Sequence, residues 1–211
     1  MDLNELGRLC ADRGVLLFVD AIQGWGAFPV DVRAAKITGL AVSGHKWLLG
    51  PGGCGVFFVQ RDLAEKLQPS IVGWLSVEGW HDFAPREPVW RAGAGRFECG
   101  TPNLAGIYGL GAALELLAEI GLDAIGQRVL DLADRLRRGL AQSGYRIYGP
   151  TDRQSCSGIV TFLPREDEAA DTLMQRFEAH AIIVSVRSGM LRVSPHFYNT
   201  EAEIDRVLEL L

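Results

Sequence analysis

The sequence lacks any apolar run as long as the roughly 20 residues that a membrane-spanning helix needs. Its first residues, 1–14, form an amphipathic charged segment without the apolar core of a signal peptide. We therefore expect no membrane association and a cytoplasmic location. The composition, 48% hydrophobic and 22% charged, is ordinary for a globular protein and argues against a disordered or fibrous class.

Excess positive charge and metal-ligand spacings are also missing. The 211 residues carry a net charge of −5, whereas a general binder of nucleic acid or anionic lipid needs a basic face. The four histidines show no HxxxH spacing, and the cysteines form no CxxC pair, so we expect neither a zinc site nor disulfides. These cysteines are Cys10, Cys54, Cys99 and Cys156.

The sequence does contain alternating helical and strand-like segments. Helical spacing at 2–12 precedes the apolar run 15–19, which ends at Asp20 and is typical of a central parallel strand covered on both faces. Further strands are predicted at 40–43 and 55–60. This order predicts an α/β fold with a mostly parallel sheet.

The pattern changes further along the chain. Segment 73–96 is irregular and rich in large aromatic residues, which indicates a long surface or interface loop. Those aromatic residues are Trp74, Trp80, Phe83 and Trp90. Helices are predicted at 103–120 and 122–143. Strands follow at 145–148, 158–163 and 190–194, and helices at 168–179 and 201–210. We expect two domains, 1–118 and a small α+β domain at 119–211.

Polar residues cluster within 27 residues of the first domain. Asp20 ends one strand, Gln23 follows it, and the tetrapeptide SGHK at 43–46 ends the next strand. Ligands of open α/β sheets bind outside the carboxyl ends of strands. There a carboxylate can hold a pyridine nitrogen protonated, and a partly desolvated lysine becomes nucleophilic toward an aldehyde.

Each of these residues alone has a plainer explanation. A strand-end aspartate such as Asp20 often only caps a turn, and a lysine beside tryptophan, like Lys46, is usually solvated. The segment 39–46 also comes near the phosphate-loop pattern GxxxxGK[ST], but His45 occupies the lysine position. We do not interpret it as a nucleotide-binding loop.

Together, VDAIQGWGAFPVDV at 19–32 and SGHKWLLGPGGCGVFFV at 43–59 resemble the cofactor segment of the class V aminotransferase family. This family includes cysteine desulfurases, isopenicillin N epimerase-like enzymes and kynureninases. The resemblance continues through FECGTPN at 97–103 to the final segment, 191–211. It implies a fold type I enzyme that binds pyridoxal 5'-phosphate (PLP), acts on a small amino acid and forms homodimers with active sites at the subunit interface.

The resemblance also implies residue roles in cofactor binding. Lys46 would form a Schiff base with PLP and then move the α-proton of the substrate. Asp20 would pair with the pyridinium nitrogen, and Gln23 would donate to the phenolic oxygen. Ser43 and His45 would bind the phosphate.

Two further roles involve residues far from this cluster. Thr101 would reach the phosphate of a neighbouring subunit. Arg192 would bind the substrate carboxylate through its planar guanidinium, with Arg187 as a weaker candidate. A surface charge on an edge strand is the plainer explanation of Arg192.

In the family, a region of comparable size precedes the equivalent of Asp2. We therefore expect this chain to be the C-terminal portion of a longer protein, either an enzyme or a catalytically incompetent fragment that serves as an interaction module. The resemblance leaves transamination, epimerisation and lyase chemistry open. Desulfurase chemistry is disfavoured, because the family's reactive cysteine has no counterpart between Arg187 and Arg192.

Overall fold

The computed structural model describes residues 2–82, 84, 87–150 and 152–211. These residues form two compact units. The first unit comprises Met1–Gly26 and Val30–Glu119, and the second comprises Ala27–Pro29 and Ile120–Leu211. Phe83, one of the aromatic residues of the predicted loop, lies outside the described residues.

The first unit contains a three-stranded sheet with helices on its flanks. The elements are α1 (Leu3–Asp12), β1 (Phe18–Asp20), β2 (Gly39–Ser43), β3 (Gly55–Val59), α2 (Arg61–Ala64) and α3 (Leu104–Ile120). Helix α1 begins where the sequence predicts, because the Asp2 carboxylate accepts hydrogen bonds from the N–H groups of Asn4 and Glu5. Two short 3-10 helices, Trp74–Ser76 and Gly93–Phe97, interrupt the predicted loop.

The sheet of the first unit has the order β1-β2-β3. Strands β1 and β2 are parallel, but β2 and β3 are antiparallel, with Ser43 opposite Gly55. The part of the sheet in this chain is therefore evenly mixed rather than mostly parallel. The reason is that β2 and β3 are joined by the short reversal 44–54, whereas a parallel pair needs a longer crossover connection.

Strand β1 differs from the central, covered strand that its apolar run predicts. Val15, Leu16 and Phe18 are 55%, 57% and 52% exposed, and only Leu17 is buried in this run. The reason is that β1 pairs with β2 alone among the described residues and therefore lies at an edge of this sheet. An apolar run predicts a strand here correctly, but not how many neighbours cover it.

The second unit is an α+β layer, as the sequence predicts. Its elements are α4 (Leu122–Gln142), β4 (Arg146–Tyr148), β5 (Val160–Leu163), α5 (Ala170–Ala179), β6 (Ser185–Arg187), β7 (Met190–Val193) and α6 (Glu201–Glu209). The sheet is antiparallel with the order β4-β5-β7-β6. Strand β6, which has only three residues, was not among the predicted strands.

The core of the second unit forms between its helices and one face of the sheet. Leu132, Leu136 and Leu140 lie one turn apart on α4, and they pack in one cluster with Phe162 of β5 and Phe177 of α5. All five are fully buried, and each such side chain contributes roughly 1.5–3 kcal/mol through the hydrophobic effect. The 3.6-residue periodicity of α4 thus directs one face of the helix inward.

Among the described residues, no single helix is long and apolar enough to cross a membrane. Helices α3 and α4 meet the criteria of length and composition only when they are taken together across the break between them.

Helix α6 is held by a reciprocal cap and by ion pairs to α4. The Thr200 hydroxyl accepts from the Glu203 N–H, and the Glu203 carboxylate accepts from the Thr200 N–H at 2.6 Å. Arg135 binds both carboxylate oxygens of Asp205, at 2.6 and 2.7 Å. The hydrogen bond from the Thr200 backbone, together with those from the side chains of Asn199 and Thr200, lowers the pKa of Glu203 below its ordinary 4.5.

We predict that Thr200→Ala lowers the free energy of unfolding by about 1 kcal/mol at neutral pH, because it removes the side-chain acceptor at the first turn of α6. Urea unfolding measures this. The control is Thr172→Ala on the exposed face of α5, where alanine suits the helix at least as well. Equal destabilisation by the two substitutions would contradict the prediction.

The lowered pKa of Glu203 also predicts a pH dependence. A carboxyl group whose pKa falls on folding stabilises the protein fully above its unfolded pKa of about 4.5, and this stabilisation is lost as the pH falls through the lower, folded pKa. We therefore expect the Glu203→Gln variant and the wild type to converge in stability at strongly acidic pH. A stability gap that is independent of pH would be the contrary result.

Candidate active site

The carboxyl ends of β1 and β2 bring two of the predicted site residues to one edge of the sheet. Asp20 is the last residue of β1, Ser43 is the last residue of β2, and the parallel register places Asp20 opposite Ala41. Asp20 and Ser43 line an open concave surface of about 390 Å³, together with Gly55 and Phe57. Asp20 is exposed, and its carboxylate accepts one hydrogen bond, from the N–H of Ile22.

A tight loop after β2 carries His45 and Lys46. The Gly44 N–H donates to the Cys54 carbonyl, and the Gly50 N–H donates to the Gly44 carbonyl, both at 2.8 Å. These bonds close the loop on itself, so His45 and Lys46 lie on its exposed side. A Cβ at Gly44 would lie 3.2 Å from the Cys54 carbonyl oxygen, which explains a residue without a side chain at this position.

The exposure of Lys46 differs from the partly desolvated environment that the sequence analysis expects. Desolvation lowers the proton affinity of a lysine and makes it nucleophilic. Within the described residues, the Lys46 side chain remains open to solvent. Any desolvation of its amine must therefore come from groups other than the described ones, such as a bound ligand.

Gln23 is connected to the lysine loop through Trp47. Gln23 lies in the turn after β1, and its Oε1 accepts a hydrogen bond from the Trp47 indole Nε1 at 3.2 Å. Trp47 is only 6% exposed. Gly26 closes the same turn with a φ of 102°, and a Cβ there would lie 2.3 Å from the Trp47 carbonyl oxygen. The turn after β1 and the loop after β2 therefore pack as one piece.

Asn103 organises the far side of the lysine loop, and the sequence analysis did not single it out. Its Oδ1 accepts from the Gly106 N–H at 3.0 Å at the start of α3, and its Nδ2 donates to the Gly53 carbonyl at 3.3 Å. An asparagine directly before a predicted helix is a recognisable capping signal. Thr101, two residues earlier, is exposed.

Arg192 and Arg187 belong to the second unit. Arg192 is half-buried in β7, with Thr161 of β5 on one side and Ser185 of β6 on the other. The plainer explanation of Arg192 as a charge on an edge strand is therefore wrong, because β7 has two neighbours. Arg187 is exposed at the end of β6, and its guanidinium donates to the Val186 carbonyl.

The connection between β6 and β7 is as short as a hairpin allows. Arg187 pairs with Met190, and the two residues between them, Ser188 and Gly189, have φ values of 50° and 74°. Positive φ at both positions is the geometry of a two-residue turn that matches the twist of the strands. The segment between Arg187 and Arg192, in which the sequence has no cysteine, therefore contains a closed two-residue turn.

The structure brings the predicted residues together in part. Five of them lie in the first unit on two adjoining segments, namely Asp20, Gln23, Ser43, His45 and Lys46. Thr101 lies in the same unit on the segment before α3, and Arg192 lies in the second unit. The chemical roles of all seven residues stay predictions at this point.

A family model described as Aminotransferase class-V matches residues 1–207 of this chain. The chain belongs to the class V aminotransferase family. The enzymes of this family depend on PLP and act on amino acids. The family resemblance drawn from the sequence is therefore confirmed.

The curated relatives carry several different activities. A probable cysteine desulfurase of Pyrococcus abyssi is 31% identical over 100% of this chain and 55% of its own length. The isopenicillin N epimerase of Streptomyces clavuligerus is 33% identical over 98% of this chain and 54% of its own length. The chain thus spans about half the length of the curated relatives that it matches.

Solved structures agree with the fold. The apo cysteine desulfurase from Thermococcus onnurineus NA1 matches with a TM-score of 0.92 and 28% identity, over 99% of this chain and 55% of that one. A lysine-to-alanine variant of the cystine C-S lyase C-DES, with glycine covalently linked to its PLP cofactor, matches with a TM-score of 0.89 and 27% identity, over 99% and 55%. The α/β fold of the PLP-dependent transferases is therefore shown.

We predict that Gly26→Ala destabilises the protein by about 2 kcal/mol or more, because both its φ and its contact with the Trp47 carbonyl exclude a side chain. Urea unfolding measures the loss. Gly52→Ala is the matched control, since a Cβ there meets nothing within 4 Å. If Gly26→Ala were as mild as Gly52→Ala, the two segments would not be packed as described.

Proposed function

We propose that this chain supplies the reactive lysine and most of the cofactor-binding groups of a PLP-dependent enzyme that acts on a small amino acid. The observation that carries this proposal is the parallel pairing of β1 with β2, which aligns Asp20 and Ser43 at one sheet edge beside the Lys46 loop. We assign residues 1–118 to the PLP-binding large domain and 119–211 to the small domain.

The donor set at this edge fits PLP. The Asp20 carboxylate pairs with the pyridinium nitrogen and keeps it protonated. The Gln23 amide donates to the phenolic oxygen, and the Ser43 hydroxyl and the His45 ring donate to the phosphate. The Lys46 amine would hold the aldehyde carbon of the cofactor. The exposed positions of Asp20, His45 and Lys46 on one piece of the fold support this assignment, because each group can reach a ligand at the open surface.

When bound, PLP supplies an electron sink that stabilises negative charge at the substrate Cα. Once the substrate amine had displaced Lys46 from the cofactor, its free Nζ would accept the proton from that carbon and could return it. The Arg192 guanidinium binds the substrate carboxylate in a planar, two-point contact that fixes the orientation of Cα. Its half-buried position in the middle of a sheet favours this role, because the β7 backbone is held on both sides.

We further propose that the enzyme is a homodimer in which Thr101 of one protomer donates to the phosphate bound by its partner. Exposed aromatic side chains in the same unit support an interface: Trp74 is 41% and Trp80 45% exposed. A cytoplasmic location is part of the proposal, and it accords with the four cysteines all being free thiols.

The reaction is proposed to be transamination, epimerisation or lyase chemistry rather than desulfuration. A desulfurase needs a cysteine on a mobile loop that can reach the substrate sulfur. The two-residue turn Ser188–Gly189 is the whole connection between β6 and β7, and it contains no cysteine. This favours the epimerase-like and aminotransferase-like branches of the family.

The test uses the fact that the chain has only three lysines, Lys36, Lys46 and Lys66, and that all three are exposed. Incubation with PLP and reduction with borohydride leave a stable pyridoxyl group on each lysine that held the aldehyde, and peptide mass spectrometry counts them. We expect Lys46 to be modified roughly tenfold more than the other two, which corresponds to about 1.4 kcal/mol of site binding.

Variants identify the groups that create this preference. Asp20→Asn and Ser43→Ala are expected to reduce it, because they remove the partner of the pyridinium nitrogen and a phosphate donor. Asp62→Asn on the exposed surface of α2 is the control and is expected to leave it unchanged. Equal modification of the three lysines in the wild-type chain would overturn the proposal and would favour a catalytically incompetent interaction module.

A further inference from the structure

We propose that Trp47 is a positioning residue, which orients the Gln23 amide so that its NH2 group faces the cofactor. The inference rests on the proposed function, since it assigns Trp47 a part in the same site. It starts from the contact between the Trp47 indole Nε1 and the Gln23 Oε1 at 3.2 Å.

The chemistry of this contact decides which way the amide points. An indole N–H can donate a hydrogen bond but cannot accept one. The Gln23 atom that faces it must therefore be the carbonyl oxygen, because an NH2 group there would set donor against donor. Many glutamine side chains could be turned by 180° without a clear penalty, but Gln23 could not.

The orientation matters because the two ends of an amide prefer opposite ligands. With Oε1 directed at Trp47, the other end of the Gln23 amide is Nε2, which only donates. The phenolic oxygen of PLP carries negative charge and is stabilised by a donor. A reversed amide would direct its carbonyl oxygen at that negative charge. Trp47 therefore selects the orientation of the Gln23 amide in which Nε2 can donate to the phenolic oxygen.

Trp47 is suited to this task because it is held firmly. It is only 6% exposed, and the following residue, Leu48, is 1% exposed. Its own carbonyl packs against Gly26, three residues after Gln23. Trp47 also directly follows Lys46 in sequence, so one short segment carries both the reactive amine and the group that orients the neighbouring amide.

The inference predicts a spectroscopic effect. A donor on the phenolic oxygen stabilises its negative charge and so weakens its hold on the proton shared with the Lys46 nitrogen. Loss of that donor should raise the pH at which the visible absorbance of lysine-bound PLP changes. A hydrogen bond is worth about 1 kcal/mol, which corresponds to about 0.7 of a pH unit or a factor of about five. We therefore expect Trp47→Phe to raise this midpoint by about 0.7 and the PLP Kd about fivefold.

The experiment is a pH titration of that absorbance, and a PLP titration for Kd, in a background where Lys36 and Lys66 are replaced by arginine. The side-chain signal then belongs to Lys46. Trp25→Phe is the matched control: it lies in the same turn as Gln23, and among the described residues its indole makes no hydrogen bond. Trp25→Phe should leave both quantities unchanged.

Two further variants separate orientation from folding. Gln23→Glu keeps an oxygen for the Trp47 N–H but cannot donate, so the midpoint should rise at least as far as in Trp47→Phe. In a Gln23→Ala background, Trp47→Phe should have little further effect, because Trp47 acts through the amide.

The possible results distinguish this inference from the proposed function. Midpoints that shift in Trp47→Phe and Gln23→Glu but not in Trp25→Phe support the inference. An unshifted midpoint in Trp47→Phe, or an equal effect of Trp47→Phe with and without Gln23, overturns the inference and leaves the proposed function standing. A wild-type chain without any Lys46-dependent absorbance overturns both.

Discussion

The parallel pairing of β1 with β2 is the constraint on which the rest of the candidate site depends. It is the one parallel contact within the described sheets, and only a parallel contact puts two carboxyl ends at the same edge. Asp20 and Ser43 are neighbours for this reason alone. The segments that follow those two strand ends are joined again by the hydrogen bond from Trp47 to Gln23. The loops therefore stay together beyond the last backbone pair of the two strands.

Much of this arrangement could be predicted from local signals in the sequence. Helix α1 was predicted correctly from the helical spacing at 2–12, and in the structure the Asp2 carboxylate caps its first turn. The position of Asp20 at a strand end followed from an apolar run that stops at a carboxylate. The antiparallel strands of the second unit follow from the short strand-like segments that the sequence shows after Gly144.

The parts that could not be predicted depend on groups that are distant in sequence. The antiparallel direction of β3 is an exception, because the short connection 44–54 between β2 and β3 already favours it over a parallel pair. The hydrogen bond between Gln23 and Trp47 spans 24 positions and requires the geometry of two loops at once. The exposure of the apolar run in β1 and of Lys46 likewise depends on which other segments pack against them. The residue types of a segment do not show how many neighbours it has.

The closed turn at Ser188–Gly189 has a consequence for how chemistry can vary within this fold. The ladder between β6 and β7 is complete up to the Arg187–Met190 pair, so residues added at the turn would leave the pairing of the strand that holds Arg192 intact. Loop length at this one point can therefore change independently of Arg192, for which we propose carboxylate binding. Insertion or deletion could add or remove a reactive side chain there, while Arg192 kept its position between β5 and β6.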